Sequence, residues 1–342
     1  MPAAPSTDWK EIIAPDEAAR FEGYAAVIAQ IQQRFTRNDQ VPRTLHNKPH
    51  VGARAQLIVR ADLPVEFRVG IFATARTYDA CVRYSNGGPK RANDHRRDVR
   101  GLAVKLLGVD GMKVIPGMES ARTQDFLFID AASFLFRTAD DFIFFANAGL
   151  SPATLVPRMI GRFGFFGAIS LLRKLAASVS KPVVSMATLR LWTAVPTRFG
   201  AYAAKFSLTP IASTVAVGPT KGENPLRGDL IARLQAGPVR YQLGAQLFRD
   251  ETTTPIEDPT IEWREEIAPF VPIAELVVLQ QDLLSEEGAK LEARIETLSF
   301  DPWHACEEFR PLGEIMRARS AAYRVSTIGR KAAPEPEGAL DV

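Results

Sequence analysis

Between residues 56 and 130 the sequence repeats one pattern, short β-prone runs separated by brief polar or glycine-rich turns. Gln56–Arg60 is β-prone, with Leu57, Ile58 and Val59 between two polar residues. Phe67–Ala73 and Ala80–Asn86 follow, the second ending at Gly87-Gly88-Pro89, and Leu102–Leu107 and Phe126–Asp130 complete the series. Strands joined by connections this short pair with their neighbours and predict an antiparallel barrel or sandwich. From Ala139 to about Ala203 the apolar period turns helical. Strands resume at Tyr202–Leu208, Val239–Phe248 and Val271–Leu279, with an extended, proline-bearing crossing over Asp250–Trp263.

No linker divides the chain. Residues 1–15 form a polar arm, a helix is expected over Asp16–Thr36, and one domain runs from 16 to 331. Gln280–Pro311 reads as a loop, and 332–342, with Pro334 and Pro336, as a solvated, disordered tail. A net charge of +3 gives no compositional support to nucleic-acid binding. Two cysteines, Cys81 and Cys306, rule out a disulfide scaffold or a cysteine-rich zinc site, and they suit a reducing, cytoplasmic compartment. The N-terminus lacks a secretory profile. No run reaches the ~20 apolar residues of a membrane span, so no transmembrane segment is expected. The most apolar run, Phe163–Leu172, is bracketed by Arg162 and Arg173 and reads as a buried or interface helix, with contact to a membrane or a greasy substrate as the alternative.

The chemistry-bearing residues are few. Near the C-terminus Arg319, Tyr323 and Arg330 fall on one helical stripe: at about 100° per residue, Tyr323 lies about 40° and Arg330 about 20° around from Arg319. A tyrosine between two guanidinium groups suits a phenolate, and iron on its oxygen would favour that form. Haem iron held by tyrosinate is one known arrangement; a surface helix with scattered arginines is the plainer reading. Histidine occurs at only four positions, 46, 50, 95 and 304. His46 lies three residues after Arg43, just before a strand whose start can place a side chain at the mouth or interior of a barrel. A neutral imidazole there could shuttle a peroxide proton. A zinc site on His46 and His50 lacks any supporting carboxylate or cysteine motif. Arg83, flanked by apolar residues in its strand, is costly to bury unless paired.

Arg43-x-x-His46-x-Lys48, Val82-Arg83-Tyr84-Ser85, Asp98-Val99-Arg100-Gly101-Leu102-Ala103-Val104-Lys105, Glu257-Asp258-Pro259-Thr260-Ile261-Glu262-Trp263 and Arg319-x-x-x-Tyr323-x6-Arg330 resemble the haem catalase family in order and spacing. Phe300-Asp301-Pro302-Trp303 and Arg310-Pro311-Leu312-Gly313 are similar to its smaller catalase-related branch, which includes catalase-related peroxidases and allene oxide synthase-like enzymes. The resemblance implies an α+β fold, an antiparallel eight-stranded β-barrel with helices around it and no C-terminal helical domain. It implies haem b, with Tyr323 as the proximal iron ligand and Arg319 on its oxygen. His46 would be the distal acid–base residue and Ser85 its partner. Arg43, Arg83 and Arg330 would hold the propionates, with Leu45 and Phe136 (or Phe126, Phe128 or Phe134) against the porphyrin.

Two departures bear on activity. Catalases carry an asparagine before the strand that here is Phe126–Asp130, whereas this chain has Thr123-Gln124-Asp125, leaving Gln124 as the amide donor. The chain also ends twelve residues after Arg330, so the tetramer and NADPH site of some relatives are not expected. A haem peroxidase with residual catalase activity, taking hydrogen peroxide or an organic hydroperoxide, follows. A fatty-acid hydroperoxide isomerase or dehydratase is the alternative, and a non-catalytic haem-binding protein the third reading. The expected partners are the peroxide, an organic electron donor and a second copy of the chain in a homodimer.

Overall fold

The computed structural model describes residues 4–180, 182–212, 217–218 and 220–341. The ends of the expected arm and tail, residues 1–3 and 342, lie outside the described residues. In chain order the elements are α1 (Glu17–Phe35), β1 (Lys48–Val59), β2 (Thr77–Asn86), β3 (Arg100–Leu107), β4 (Thr123–Ile129), α2 (Ala139–Ala148), α3 (Pro152–Ser178), β5 (Leu191–Trp192), β6 (Thr197–Phe199), β7 (Tyr202–Pro210), α4 (Pro225–Ala236), β8 (Val239–Leu247), β9 (Val271–Val278), α5 (Glu286–Thr297) and α6 (Glu314–Arg330). Every strand pairing is antiparallel, in the order β5-β4-β3-β2-β1-β9-β8-β7. β7 returns to β5 and closes the sheet into an eight-stranded barrel, with β6 lengthening the seam beside β5.

Alternation along the strands sends one set of side chains inward. Val82 and Tyr84 of β2, Leu102, Val104 and Leu106 of β3, and Phe126 and Phe128 of β4 join one continuous core. Across the lumen the Tyr84 and Tyr241 hydroxyls meet at 3.1 Å. Phe72, Phe206 and Phe309 pack around Phe126, and Phe199 packs on those three, so the barrel is filled with side chains. Chemistry cannot sit in that interior; it belongs to the outward positions of the same strands, where the helices lie.

Three expectations need correction. Phe67–Ala73 is two short 3-10 turns rather than a strand. Gly70 takes a φ of +50°, in the left-handed region that favours glycine, and a side chain there would strike Phe309, so Phe67, Ile71 and Phe72 turn inward as a plug. The stretch read as a loop over Gln280–Pro311 contains α5. The tail is pinned rather than solvated over its described residues: Thr123 Oγ1 donates to Glu335, Lys105 pairs with it, and Leu340 is buried in the core.

Candidate active site

α6 is fixed before it reaches its reactive stripe. Arg317, in its first turns, bonds Glu11 of the arm, Glu17 of α1 and Glu257 of the crossing segment. Farther along, Gly329 lets α1 approach: a β-carbon there would sit 2.8 Å from the Gln32 side-chain oxygen. Gln32 Nε2 donates to the Ser326 carbonyl at 3.1 Å. The helix therefore packs on α1 and α2 rather than on the strands, and its other stripe is left to face elsewhere. On that stripe Arg319 Nη2 donates to Tyr323 Oη at 2.9 Å, and its guanidinium also lies 5.3 Å from the ring centroid. Tyr323, Arg319 and Arg330 remain half-buried.

His46 is held from several sides. Its N–H donates to the Gly87 carbonyl at 2.9 Å, and its carbonyl accepts from Arg83 Nη1 at 2.9 Å. The backbone takes a φ of +52°, strained for a residue with a side chain. Nδ1 meets Ser85 Oγ at 3.0 Å. The ring lies against Gly101, the β3 partner of Ser85, where a β-carbon would come within 2.5 Å of Cε1. Burial first, then the charges of Arg83, Arg319 and Arg43, push the imidazole pKa down to about 3, so it is neutral at any ordinary pH.

The three other arginines converge with one carboxylate. Glu296 of α5 bonds Arg43 Nη1 and, at 2.8 Å, Arg83 Nε. Arg43 Nη2 and Arg330 Nη2 both donate to the Leu298 carbonyl, at 2.7 and 3.2 Å. Burial leads in lowering the pKa of Arg43, with Arg83 and Arg330 adding like-charge repulsion. Three guanidiniums against one carboxylate leave an excess of two positive charges, with Arg83 buried and the others half-buried. On the same outer face, Ala103, Leu127 and Ile129 stay half-buried while their inward neighbours are closed off. A phenol oxygen, an imidazole and surplus arginines are the donor set that a flat dianion with a metal centre needs. The residues present fit haem.

One expected site residue is placed differently. Gln124 is buried with its amide engaged: Oε1 accepts from the Cys306 N–H at 2.9 Å, and Nε2 donates to the Asp125 carbonyl at 3.1 Å. It pairs with Leu106, whereas Gly101 beneath His46 pairs with Ile129. Five residues of strand separate these pairs, about 17 Å, so Gln124 gives His46 no distal amide. Phe136 is buried in a ring cluster with Phe134, Phe142 and Phe145 beside α2. Leu45 is half-buried next to His46. Sequence reasoning missed Glu296, Gly101 and Asp301. Asp301 is a buried carboxyl whose pKa burial lifts to about 6 despite the nearby charges of His304 and Arg319; only its place in the Phe300–Trp303 motif pointed towards it.

A second polar cluster lies farther along the same strands. Lys105 Nζ is 2.7 and 2.9 Å from the two Asp125 oxygens and also pairs with Glu335. His304 Nδ1 is 3.4 Å from Asp125 and 3.1 Å from Glu335. Asp125, His304 and Glu335 could converge on a metal, but the Lys105 ammonium already takes that role.

No protein-family model matches the chain. Among curated proteins it is similar to a catalase-related peroxidase of Mycolicibacterium paratuberculosis, 26% identical over 265 residues, which span 73% of this chain and 77% of that one. Among solved structures it superposes on a bacterial catalase (TM-score 0.64, 15% identity, 99% of this chain and 65% of that one). A fungal catalase gives a TM-score of 0.65 at 17% identity, over 96% of this chain and 66% of that one. Catalase A from Saccharomyces cerevisiae gives 0.66 at 15% identity, over 96% and 68%. The chain thus spans about two thirds of the length of the catalases whose fold it shares. The resemblance read from the sequence, to the haem catalase superfamily and its small catalase-related branch, is borne out.

Proposed function

We propose that this chain, with the fold of the catalases and a catalase-related relative, is a haem-dependent peroxidase of hydrogen peroxide or organic hydroperoxides. The observation that carries the proposal is the pairing of a neutral His46 on the barrel face with an Arg319-bonded Tyr323 on α6. Haem b held there would supply the iron that binds the peroxide and the electrons that cleave its O–O bond. Tyr323 would be the iron ligand, and Arg319 would stabilise negative charge on its oxygen. Arg43, Arg83 and Arg330 would take the propionates, using the two charges Glu296 leaves uncompensated.

His46 has one task. A ring that stays neutral can accept the proton of the peroxide oxygen nearer the site and pass it to the departing one. Ser85 at Nδ1 and the Gly101 surface fix the plane in which it does so. With Gln124 turned away, no amide at that position assists, which favours one-peroxide peroxidase turnover with an organic donor over dismutation of two peroxides. The buried, free Cys81 and Cys306 support a reducing, cytoplasmic setting.

Absorption spectroscopy of the purified protein tests the proposal. A high-spin ferric haem spectrum is expected, changed or lost in Tyr323→Phe. Oxidation of a phenolic dye by hydrogen peroxide should exceed oxygen evolution. Consumption of a fatty-acid hydroperoxide without any reductant would point to an isomerase instead, and haem without turnover in all three assays would leave a carrier.

A further inference from the structure

We infer that α3 is a docking helix for the surface of an anionic phospholipid bilayer, an inference that does not depend on the haem reading. The helix was expected to be buried or in an interface, and the fold leaves it on the outside. It is 27 residues long and apolar enough to pass for a span, yet only 11% of its most apolar window is buried. Met159 and Ala168 are its buried residues among those described. It touches the rest of the molecule chiefly through α2, where Phe163 packs edge-on against Phe144. Val156, Ile160, Phe165 and Phe166 are exposed, Phe166 to 84%. A contiguous apolar surface of this kind marks an interaction site.

Charge says what covers it. α3 carries Arg158, Arg162, Arg173 and Lys174 and no acidic residue, and no Asp or Glu occurs between Asp141 and Glu223. Arg162 is paired with Asp141; Arg158, Arg173 and Lys174 have no carboxylate partner among the described residues. Apolar residues interleaved with unpaired bases, and no acids, match the acyl boundary and headgroups of an anionic leaflet. The helix lies on the surface rather than crossing. Gly164 breaks it at φ +70°, next to Phe165 and Phe166, and Pro157 and the four bases lie within its length. The break presents the two phenylalanines as a wedge, with Arg173 and Lys174 beyond them to reach the phosphates, while Arg158 and Arg162 lie over Phe144 of α2.

Flotation of the full chain with phosphatidylcholine vesicles, and with vesicles that also contain phosphatidylglycerol, tests this. Binding is expected to the anionic vesicles, weaker by at least about tenfold on phosphatidylcholine alone, and falling with salt. Arg173→Gln with Lys174→Gln should cost about twenty-five-fold, at about fivefold per base near the surface. Phe165→Ser with Phe166→Ser should abolish flotation without altering secondary structure or dye oxidation, since both rings are exposed. Equal binding to neutral and anionic vesicles, or no flotation at all, overturns the inference. So does a dimer in sedimentation velocity that the phenylalanine variants convert to monomer without any vesicle binding.

Discussion

Two histidines pack against the same outer barrel face and are driven in opposite directions. Burial and three arginines hold His46 down at about 3. Burial also opposes charge on His304, but contact with Asp125 and Glu335 outweighs it and lifts that pKa to about 9. What differs is the balance of charge around them. The His304 cluster has its charges matched, Lys105 and His304 against Asp125 and Glu335. The His46 cluster is three guanidiniums against one carboxylate, with the ring's Nε2 making no hydrogen bond among the described residues. A balanced cluster locks a fold. An unbalanced one is stable as a site only if a ligand completes it.

The sharpest way to break the contrast is to remove each centre. His46→Ala should lower peroxide turnover by about 10²–10⁴-fold while the haem spectrum persists; undiminished turnover would remove His46 from proton transfer. Gly101→Ala should act the same way more weakly, because its new methyl displaces the ring from Ser85. In the other cluster, Lys105→Ala leaves two carboxylates buried with only His304 to oppose them. It should cost about 3–5 kcal/mol of stability in urea titration, with any haem still bound by the molecules that remain folded. Arg330→Gln makes the converse point: it should cost the fold under about 1 kcal/mol, since the arginine donates only to the Leu298 carbonyl, yet weaken haem retention measurably.

Titration separates the two histidines next. His304 has a folded pKa of about 9, above its unfolded value of about 6.5. Its contribution is therefore whole below pH ~6.5 and is lost as pH rises through 9, on the order of 3 kcal/mol. Thermal melts from pH 6 to 10 should fall for the wild type across that window and fall less for His304→Asn. His46, with its folded pKa depressed to about 3, works in the opposite sense and only at the low end: the unfolded chain takes up its proton below about pH 6.5, so burying the ring costs stability there, equally in the wild type and in His304→Asn. If the His304→Asn profile matches the wild type, the charged His304 contact is wrong.

Much of this was legible in the chain because it lies in short, local signals. The spacing of Arg319, Tyr323 and Arg330 is a helix period, Ser85 follows Arg83 at the strand period, and both place their side chains as expected. What was not legible depends on the third dimension or on weak patterns. α5 offers only Leu291 and Ile295 as buried apolar residues among seven charged or polar ones, so its helical period is faint and Glu296 stayed hidden in a supposed loop. The run at Phe67–Ala73 is apolar enough for a strand, but Gly70 bends it into a plug. The tail looked solvated because two prolines and two glutamates give no hint that Glu335 meets a buried lysine.

Gln124 shows the same limit and supplies the smallest expected effect. Its position in the sequence matched a distal amide, but strand alternation and five residues of register place it with Cys306 instead. Gln124→Leu keeps the volume and removes the amide, leaving the buried Cys306 N–H without an acceptor, a cost of about 1–3 kcal/mol. Stability should fall by that amount while turnover per bound haem stays within about twofold, because nothing at His46 has changed. Were turnover instead to collapse with stability intact, Gln124 would act on the peroxide after all, and the closed cluster and the open one would be a single site.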